Sequence, residues 1–263
     1  MKVYFIGAGP GDPKLLTVKG KNIIEQADIV IYAGSLVNPQ VLSYAPAGIP
    51  TYNSAGMDLK EVTDIYRREK KREGTIARLH TGDPSLYGAI QEQIDFCRRE
   101  EIAIEVIPGV SSFFAAAAAL RQEFTLPGIS QSLVLTRMAG RTPVPDTENI
   151  ESWARHHASM AVFLSAGNME TLVQRLLTGY SAETPAAVVY RASWPDQKIV
   201  TGTLENIAEK TAAAGITRQA LVLVGDVLRS QGGDGFYDKS KLYDPGFSHG
   251  YREGKGDSTE EGT

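Results

Sequence analysis

Cysteine, histidine and long apolar runs are scarce in this chain of 263 residues, and each shortage excludes a class of protein. The one cysteine, Cys97, rules out an internal disulfide and is typical of a reducing compartment. None of the four histidines is spaced from Cys, Asp or Glu as metal ligands are, so we predict no metal site. No apolar stretch reaches 18 residues and no secretory signal pattern opens the chain, so we expect a cytoplasmic protein that does not enter a membrane.

Charge of one sign is scarce as well, because 27 basic residues stand against 31 acidic ones and the formal net charge is −4. This balance argues against broad electrostatic attraction to nucleic acid or to a membrane surface, and we predict neither as a partner. An anionic substrate would therefore need a local basic lining in its own site.

Two common nucleotide-binding patterns are absent. The sequence has no G-x-x-x-x-G-K-[ST] loop, and its first glycine-rich loop, residues 7–11, is G-x-G-x-G instead of the dinucleotide pattern G-x-G-x-x-G. Pro10 lacks the N–H that such a loop would offer, and the second apparent strand ends at Tyr32 with no acidic residue for a ribose. The loop is therefore no nicotinamide site, and a tight turn without a ligand stays open as an alternative.

What the sequence does contain is an alternation of short apolar runs with helical patterns, which predicts α/β layers. The first half should form a mainly parallel sheet, with strands at 3–6, 29–32, 75–79 and 102–107 and helices near 17–27, 58–73 and 86–99. In the second half, residues 194–197 (WPDQ) indicate a hairpin turn between antiparallel strands. Strands are predicted there at 133–136, 160–164, 186–190, 199–201 and 220–224, and helices near 150–156, 169–178 and 204–214.

These patterns predict two α/β domains, each a mixed sheet flanked by helices. We place the first domain at residues 1–120, a linker at 121–131 and the second domain at 132–228. Residues 229–263 are rich in glycine and poor in aliphatic side chains, so we predict a disordered tail there.

Two further Gly/Pro loops follow predicted strands of the first half, at residues 81–84 (TGDP) and 108–112 (PGVSS). Gly82 permits close approach of the backbone, and Asp83 supplies an acceptor at a helix start. Ser111 and Ser112 can cap the following helix or hold a ligand carboxylate at its positive end. Because all three loops follow strands of one sheet, we predict a ligand site at the carboxyl edge of that sheet.

The ordered set G-A-G-P-G-D, G-D-P-x-x-Y and P-G-V-S-S resembles the tetrapyrrole methylase family over about residues 1–228. These are the class III S-adenosylmethionine-dependent methyltransferases that act on precursors of the corrin ring. The resemblance implies two α/β domains with the methyl donor in the cleft between them, a tetrapyrrole substrate and a homodimer.

Three further segments, residues 32–39, 135–143 and 191–197, are most similar to the branch that methylates carbon 11 of the ring, in its oxygen-dependent or its cobalt-containing form. Methylation at C2/C7, C20 or C17 stays open, as do a ribosomal RNA substrate, a diphthamide precursor and a binding module without catalysis. The net charge favours no basic RNA-binding face.

The resemblance also assigns residues to the donor S-adenosylmethionine, which leaves as S-adenosylhomocysteine. Small residues for close approach and apolar walls for the adenine suit such a ligand. Ser165 departs from the methionine common at its position, and Ala220 is expected to face the adenine. The expected donor contacts are Pro10, Thr81, Gly82, Asp83, Leu86, Ser111, Ser112, Ser165, Ala192 and Ala220.

Substrate contacts are expected from the branch-specific segments, because arginine forks suit the acetate and propionate groups of a tetrapyrrole. The expected residues are Ser35, Arg137, Met138, Arg141 and Arg191, with a plain surface charge as the alternative for the arginines. Catalysis should be positioning without a dedicated nucleophile. The candidates for a proton acceptor are Asp12 and Asp83, and an N-cap is the alternative for Asp12.

Overall fold

Two five-stranded sheets form the frame of the chain, and the computed structural model describes residues 1–232 and 236–254. The first sheet has the strand order β3-β2-β4-β1-β5, and each of its pairings is parallel. Its strands are β1 Lys2–Gly7, β2 Ile29–Tyr32, β3 Thr51–Asn53, β4 Thr75–His80 and β5 Ala103–Ile107. The α/β class is confirmed, and this first sheet is more uniform than the mixed sheet expected, since its strands are joined by crossovers.

The helices that cover this sheet are α1 Val18–Ile24, α2 Leu59–Glu69, α3 Gln91–Arg99 and α4 Ser112–Leu120. All but α3 begin at a residue whose side chain caps them. Asp58 and Glu61 form a capping box at the start of α2. Helix α3 begins later than the sequence pattern predicts, because Tyr87 and Ala89 take positive φ angles of 57° and 49° that no α-helix accepts.

The second sheet has the order β6-β7-β10-β8-β9, and only β6 and β7 run parallel. Its strands are β6 Leu133–Arg137, β7 Ser159–Phe163, β8 Pro185–Tyr190, β9 Lys198–Thr203 and β10 Ala220–Val224, with helices α5 Ile150–Ala154, α6 Met169–Leu176 and α7 Ile207–Ala213. The predicted hairpin turn is confirmed, since β8 and β9 pair antiparallel and the Gln197 N–H donates to the Trp194 carbonyl at 3.1 Å.

Helix α4 links the two layers. It follows β5 of the first sheet, but its Phe113 and Ala116 pack in one cluster with Val189 and Leu221 of the second sheet. Phe124, within the predicted linker, is buried in the same cluster. The domain boundaries stay a prediction. Because α4 follows the first sheet in sequence and packs against the second sheet, it connects the two.

The predicted disordered tail lies partly outside the described residues, at 233–235 and 255–263. Within 236–254, the Asp238 N–H donates to the Pro127 carbonyl at 3.1 Å, and the Arg252 guanidinium donates to the Leu242 and Asp244 carbonyls. In the described ranges, no helix has the length and apolar character that a bilayer crossing requires. The same ranges hold no group of three His, Cys, Asp or Glu side chains placed to bind a metal ion.

Candidate functional site

The three Gly/Pro loops meet at the carboxyl edge of the first sheet, as their positions after β1, β4 and β5 predict. Gly9 and Gly82 pair through two backbone hydrogen bonds, at 2.8 and 3.3 Å. A Cβ on Gly109 would lie 2.2 Å from the Gly82 carbonyl oxygen, so the third loop fits against the second only as glycine. The loops form one continuous backbone surface that a ligand can approach closely.

Asp83 ties the second loop to the third. One carboxylate oxygen accepts the Ser85 N–H and the other accepts the Gly109 N–H, both at 2.8 Å. Asp12 accepts the Lys14 N–H at 2.9 Å, so the N-cap considered as its alternative role is present. Ser111 caps α4 by accepting the Phe113 N–H at 3.3 Å. The two acidic candidates are therefore engaged in holding the loops.

A cavity of about 200 Å³ lies between these loops and the second sheet. Every residue expected to contact the donor lines it, with the exception of Ser165. Of the residues expected to contact the substrate, Arg191 lines it. Ligand sites occur preferentially at such domain interfaces, and small or apolar residues make up most of this wall.

Ser165 and Met138 lie behind the cavity wall. The Ser165 hydroxyl accepts the Met138 N–H at 3.0 Å and donates to the Phe163 carbonyl at 2.7 Å. The Met138 side chain is 7% exposed and packs in the core of the second sheet. The pair fixes the ends of β6 and β7, next to the cavity residues Phe163 and Leu164.

The other substrate candidates, Ser35, Arg137 and Arg141, are not among the residues that line the cavity. The Arg137 guanidinium donates to the Thr142 carbonyl at 3.2 Å and to the Pro143 carbonyl at 2.6 Å, which closes its own loop. Burial raises the pKa of the cavity residue Tyr87, and the positive charge of Arg137 partly lowers it again. Arg141 is exposed, and the Ser35 carbonyl accepts the Gln219 side-chain N–H across the cleft at 3.0 Å.

Several cavity residues had not been assigned from the sequence. Tyr87 and Phe163 face each other from the two domains, with ring centres 5.3 Å apart. Leu164 is 73% exposed at a φ of 54°, a position with no signal in the sequence. Trp194 lies in residues 191–197, which the sequence marked as a turn and as a branch-specific segment, but its place in the cavity wall was not predicted. The other missed lining residues are Leu36, Val189, Gln219 and Leu221.

Arg191 is the basic group of the cavity wall. Its Nη1 pairs with an Asp196 oxygen at 2.5 Å, and its guanidinium lies 3.9 Å from the centre of the Trp194 ring. Its buried Nε has no hydrogen-bond partner among the described residues. This N–H is therefore a hydrogen-bond donor that stays unpaired inside the cavity wall.

A buried polar network supports the loop that carries Leu86 and Tyr87. The Gln93 side-chain oxygen accepts from the Tyr66 hydroxyl at 2.8 Å and from the Arg78 Nε at 3.2 Å, while its amide donates to the Ala89 carbonyl at 3.1 Å. The Arg78 Nη1 also donates to the Ser54 hydroxyl at 2.8 Å. The network fixes the strained turn before α3 from beneath.

His80 ends β4 beside this network and is 4% exposed. Burial, together with the positive charge of Arg78, lowers the pKa of the imidazole to about 3, although a hydrogen bond with the Gly88 backbone acts in the opposite direction. The imidazole is therefore neutral at physiological pH, and its position indicates support of the second loop.

Comparison with known proteins agrees with this geometry. The family model described as Tetrapyrrole (Corrin/Porphyrin) Methylases matches residues 2–208. The chain is 51% identical to a cobalt-precorrin-4 C(11)-methyltransferase of Methanocaldococcus jannaschii, covering 96% of each chain. It is 46% identical to a precorrin-4 C(11)-methyltransferase of Pseudomonas aeruginosa, covering 97% of this chain and 100% of that one.

Solved structures give the same result. A cobalt precorrin-4 methyltransferase superposes with a TM-score of 0.84 at 43% identity, covering 86% of this chain and 95% of that one. A Thermus thermophilus uroporphyrin-III C-methyl transferase complexed with S-adenosylhomocysteine gives a TM-score of 0.74 at 29% identity, covering 87% and 99%. The recognition made from the three loops is confirmed: this chain is a methyltransferase and belongs to the tetrapyrrole (corrin/porphyrin) methylase family.

Proposed function

We propose that this chain transfers a methyl group from S-adenosylmethionine to carbon 11 of precorrin-4 or cobalt-precorrin-4. The observation that carries the proposal is the single cavity in which the three first-domain loops meet Ala192 and Ala220 of the second domain. The names of relatives that match nearly the full length support carbon 11 over the other ring positions, RNA and diphthamide.

The cavity residues fit the donor. Ser111 and Ser112 stand at the N-terminus of α4, where backbone N–H groups and the helix dipole favour the donor's carboxylate. Leu86 and Leu221 offer apolar walls for a flat base, and Ala220 leaves room beside it. A neighbour in the same fold is complexed with the product S-adenosylhomocysteine, which supports the same ligand here.

Methyl transfer requires correct positioning of the two reactants more than it requires reactive side chains. When bound, the sulfonium donor supplies an electrophilic methyl group that passes in line to a nucleophilic ring carbon, while the C–S electron pair stays on sulfur. The two walls of the cleft hold both reactants and exclude water, and such orientation contributes roughly 7–11 kcal/mol in favourable cases. Asp83 serves this geometry, because both of its oxygens hold backbone N–H groups.

The tetrapyrrole ring is proposed to bind at the mouth of the cavity. Tyr87 and Leu164 offer apolar surface there, at 44% and 73% exposure. Arg137, Arg141 and Arg191 are proposed to bind ring carboxylates, and Ser35 and Met138 belong to the segments that shape this region. Cobalt, where present, is part of the substrate.

The resemblance also leads us to propose a cytoplasmic homodimer that binds neither nucleic acid nor membrane. Sedimentation equilibrium tests this proposal, and a monomer at micromolar concentration would contradict it.

Methyl transfer from isotope-labelled S-adenosylmethionine tests the function directly. Precorrin-4 and cobalt-precorrin-4 are offered in parallel, and NMR locates the new methyl carbon. We expect label at C11, with the better substrate identifying the branch. Label at another ring carbon would contradict the position, and bound donor without transfer to either substrate would contradict the activity.

A further inference from the structure

The turn between β8 and β9 reaches across the cleft to the first loop. The Trp194 Nε1–H donates to the Pro10 carbonyl at 2.9 Å, and the Ser193 hydroxyl accepts the Asp12 N–H at 3.0 Å. On its other side, the first loop is held by Asn38, whose amide donates to the Gly11 carbonyl at 2.8 Å. Pro10 and Trp194 both line the cavity, so these hydrogen bonds join its two walls.

The Trp194 indole packs directly against the Cα of Gly11. A Cβ on Gly11 would lie 2.1 Å from the Trp194 Cδ1 and 2.2 Å from its Nε1. Gly11 is not among the glycines with positive φ, so its backbone conformation is open to other residues. The glycine at this position is required by the indole of the opposite domain.

The turn that carries the indole is itself constrained. Arg191 and Ser193 take positive φ angles of 46° and 70°, which non-glycine residues keep only where their surroundings hold them. The Arg191 guanidinium lies over the Trp194 ring at 3.9 Å and pairs with Asp196. One tryptophan thus contacts the first loop on one side and the basic group of the cavity wall on the other.

We propose that Trp194 is a positioning residue that latches the two domains together and sets the width of the donor cavity. The inference rests on the proposed function, since the cavity must take S-adenosylmethionine. Donor affinity then depends on the indole N–H, because a loosened first loop withdraws Pro10 from the donor and opens the cleft to water.

The first test compares two tryptophan variants. Trp194→Phe keeps an aromatic ring but leaves the Pro10 carbonyl without its donor. Trp153→Phe is the matched control, because Trp153 is the chain's other tryptophan and lies on α5 against the core of the second sheet. We expect Trp194→Phe to raise the calorimetric Kd for S-adenosylhomocysteine about fivefold to tenfold, as loss of one partly buried hydrogen bond does, and Trp153→Phe to leave it unchanged.

A double-mutant cycle tests the fit against Gly11. Gly11→Ala alone should weaken S-adenosylhomocysteine binding, because the new methyl group displaces the indole. In a Trp194→Ala background the same methyl group has room, so Gly11→Ala should then have little further effect. Additive effects in the double variant would overturn the proposal.

A third measurement does not require Trp194 to be replaced. In the Trp153→Phe protein, Trp194 is the remaining tryptophan and its fluorescence reports the latch. We expect saturating S-adenosylhomocysteine to change this emission, and an unchanged spectrum would overturn the latch. If the unaltered protein fails to bind S-adenosylhomocysteine at all, the proposed function fails. Binding by the unaltered protein with equal affinity in Trp194→Phe would overturn the latch alone.

Discussion

Two half-buried carboxylates, Asp12 and Asp83, hold the glycine-rich loops of the first domain. Asp83 and Asp12 make an instructive pair, because both carboxylates accept backbone N–H groups in the loops. Asp83 uses both of its oxygens, whereas Asp12 caps a short helix through one. The two residues should therefore respond differently to the same substitution.

We expect Asp83→Asn to destabilise the protein by about 1–3 kcal/mol, because an amide NH₂ would then face a backbone N–H in place of an acceptor. Asp12→Asn should be nearly neutral, since asparagine is an equally good N-cap. Urea unfolding of the two variants measures both effects. Equal losses in the two variants would contradict the hydrogen-bond assignment of Asp83.

His80 gives the protein a sensitivity to acid. Its pKa falls from 6.5 to about 3 on folding, mainly through burial, so the unfolded chain binds a proton between these values while the folded chain does not. Stability should therefore decline as the pH falls below about 6.5, and between pH 7 and pH 5 His80 should account for about 2 kcal/mol of the loss.

The His80→Gln variant tests this prediction. Glutamine does not titrate, so urea unfolding at pH 7 and at pH 5 should differ less in the variant than in the unaltered protein. His157→Gln is the matched control, because that histidine is exposed and lies on the second domain. A pH dependence unchanged by His80→Gln would show that the imidazole binds its proton equally well in the folded and the unfolded chain, which contradicts the lowered pKa.

At the residue scale, the sequence predicted residues that do come together, because nine of the ten expected donor contacts line one cavity and most of them belong to ordered loops. Their contact with the donor stays a prediction. It did not predict where Ser165 and Met138 lie, since their burial depends on how the ends of β6 and β7 pack. The positive φ angle and exposure of Leu164 had no local signal either.

Among the elements, the turn before α3 depends most on buried support. Gln93 connects Tyr66 and Arg78 to the carbonyl of Ala89, so its side chain satisfies three groups at once. The helical pattern predicted continuous helix from residue 86, because hydrophobic spacing does not reveal that Tyr87 and Ala89 are left-handed. Strand β3 was missed for a related reason, since three residues are too few to form a pattern.

Gln93→Leu should therefore cost about 3 kcal/mol of stability, because it leaves a buried guanidinium and a buried hydroxyl without their acceptor. Gln91→Leu on the same helix is the control, since Gln91 is exposed and bonds to Asp95 at the surface. Urea unfolding compares the two variants. A loss for Gln93→Leu no larger than that for Gln91→Leu would mean that water replaces the network.

At the scale of the whole molecule, the cleft is made by contacts that no local pattern contains. The alternation of strands and helices predicted two α/β layers, and the family resemblance predicted a ligand between them. The pairs that cross the cleft, such as Tyr87 with Phe163, join residues far apart in sequence, so their geometry appears only in the folded chain.

Because loops that follow the first sheet and strands of the second sheet line one cavity, donor product should stabilise the whole chain. At a free S-adenosylhomocysteine concentration of about 100 times its Kd, the gain should be about 2.7 kcal/mol, because the ligand binds the folded state alone. For a chain of this size this corresponds to a rise in Tm of roughly 5–10 °C.

Ala192→Leu should abolish the rise, since the side chain would fill the cavity beside the donor. Ala213→Leu, on the exposed face of α7, should leave it intact. Scanning calorimetry measures these Tm values. A second unfolding transition whose Tm does not change with ligand would mean that the two layers unfold independently and that the cavity does not couple them.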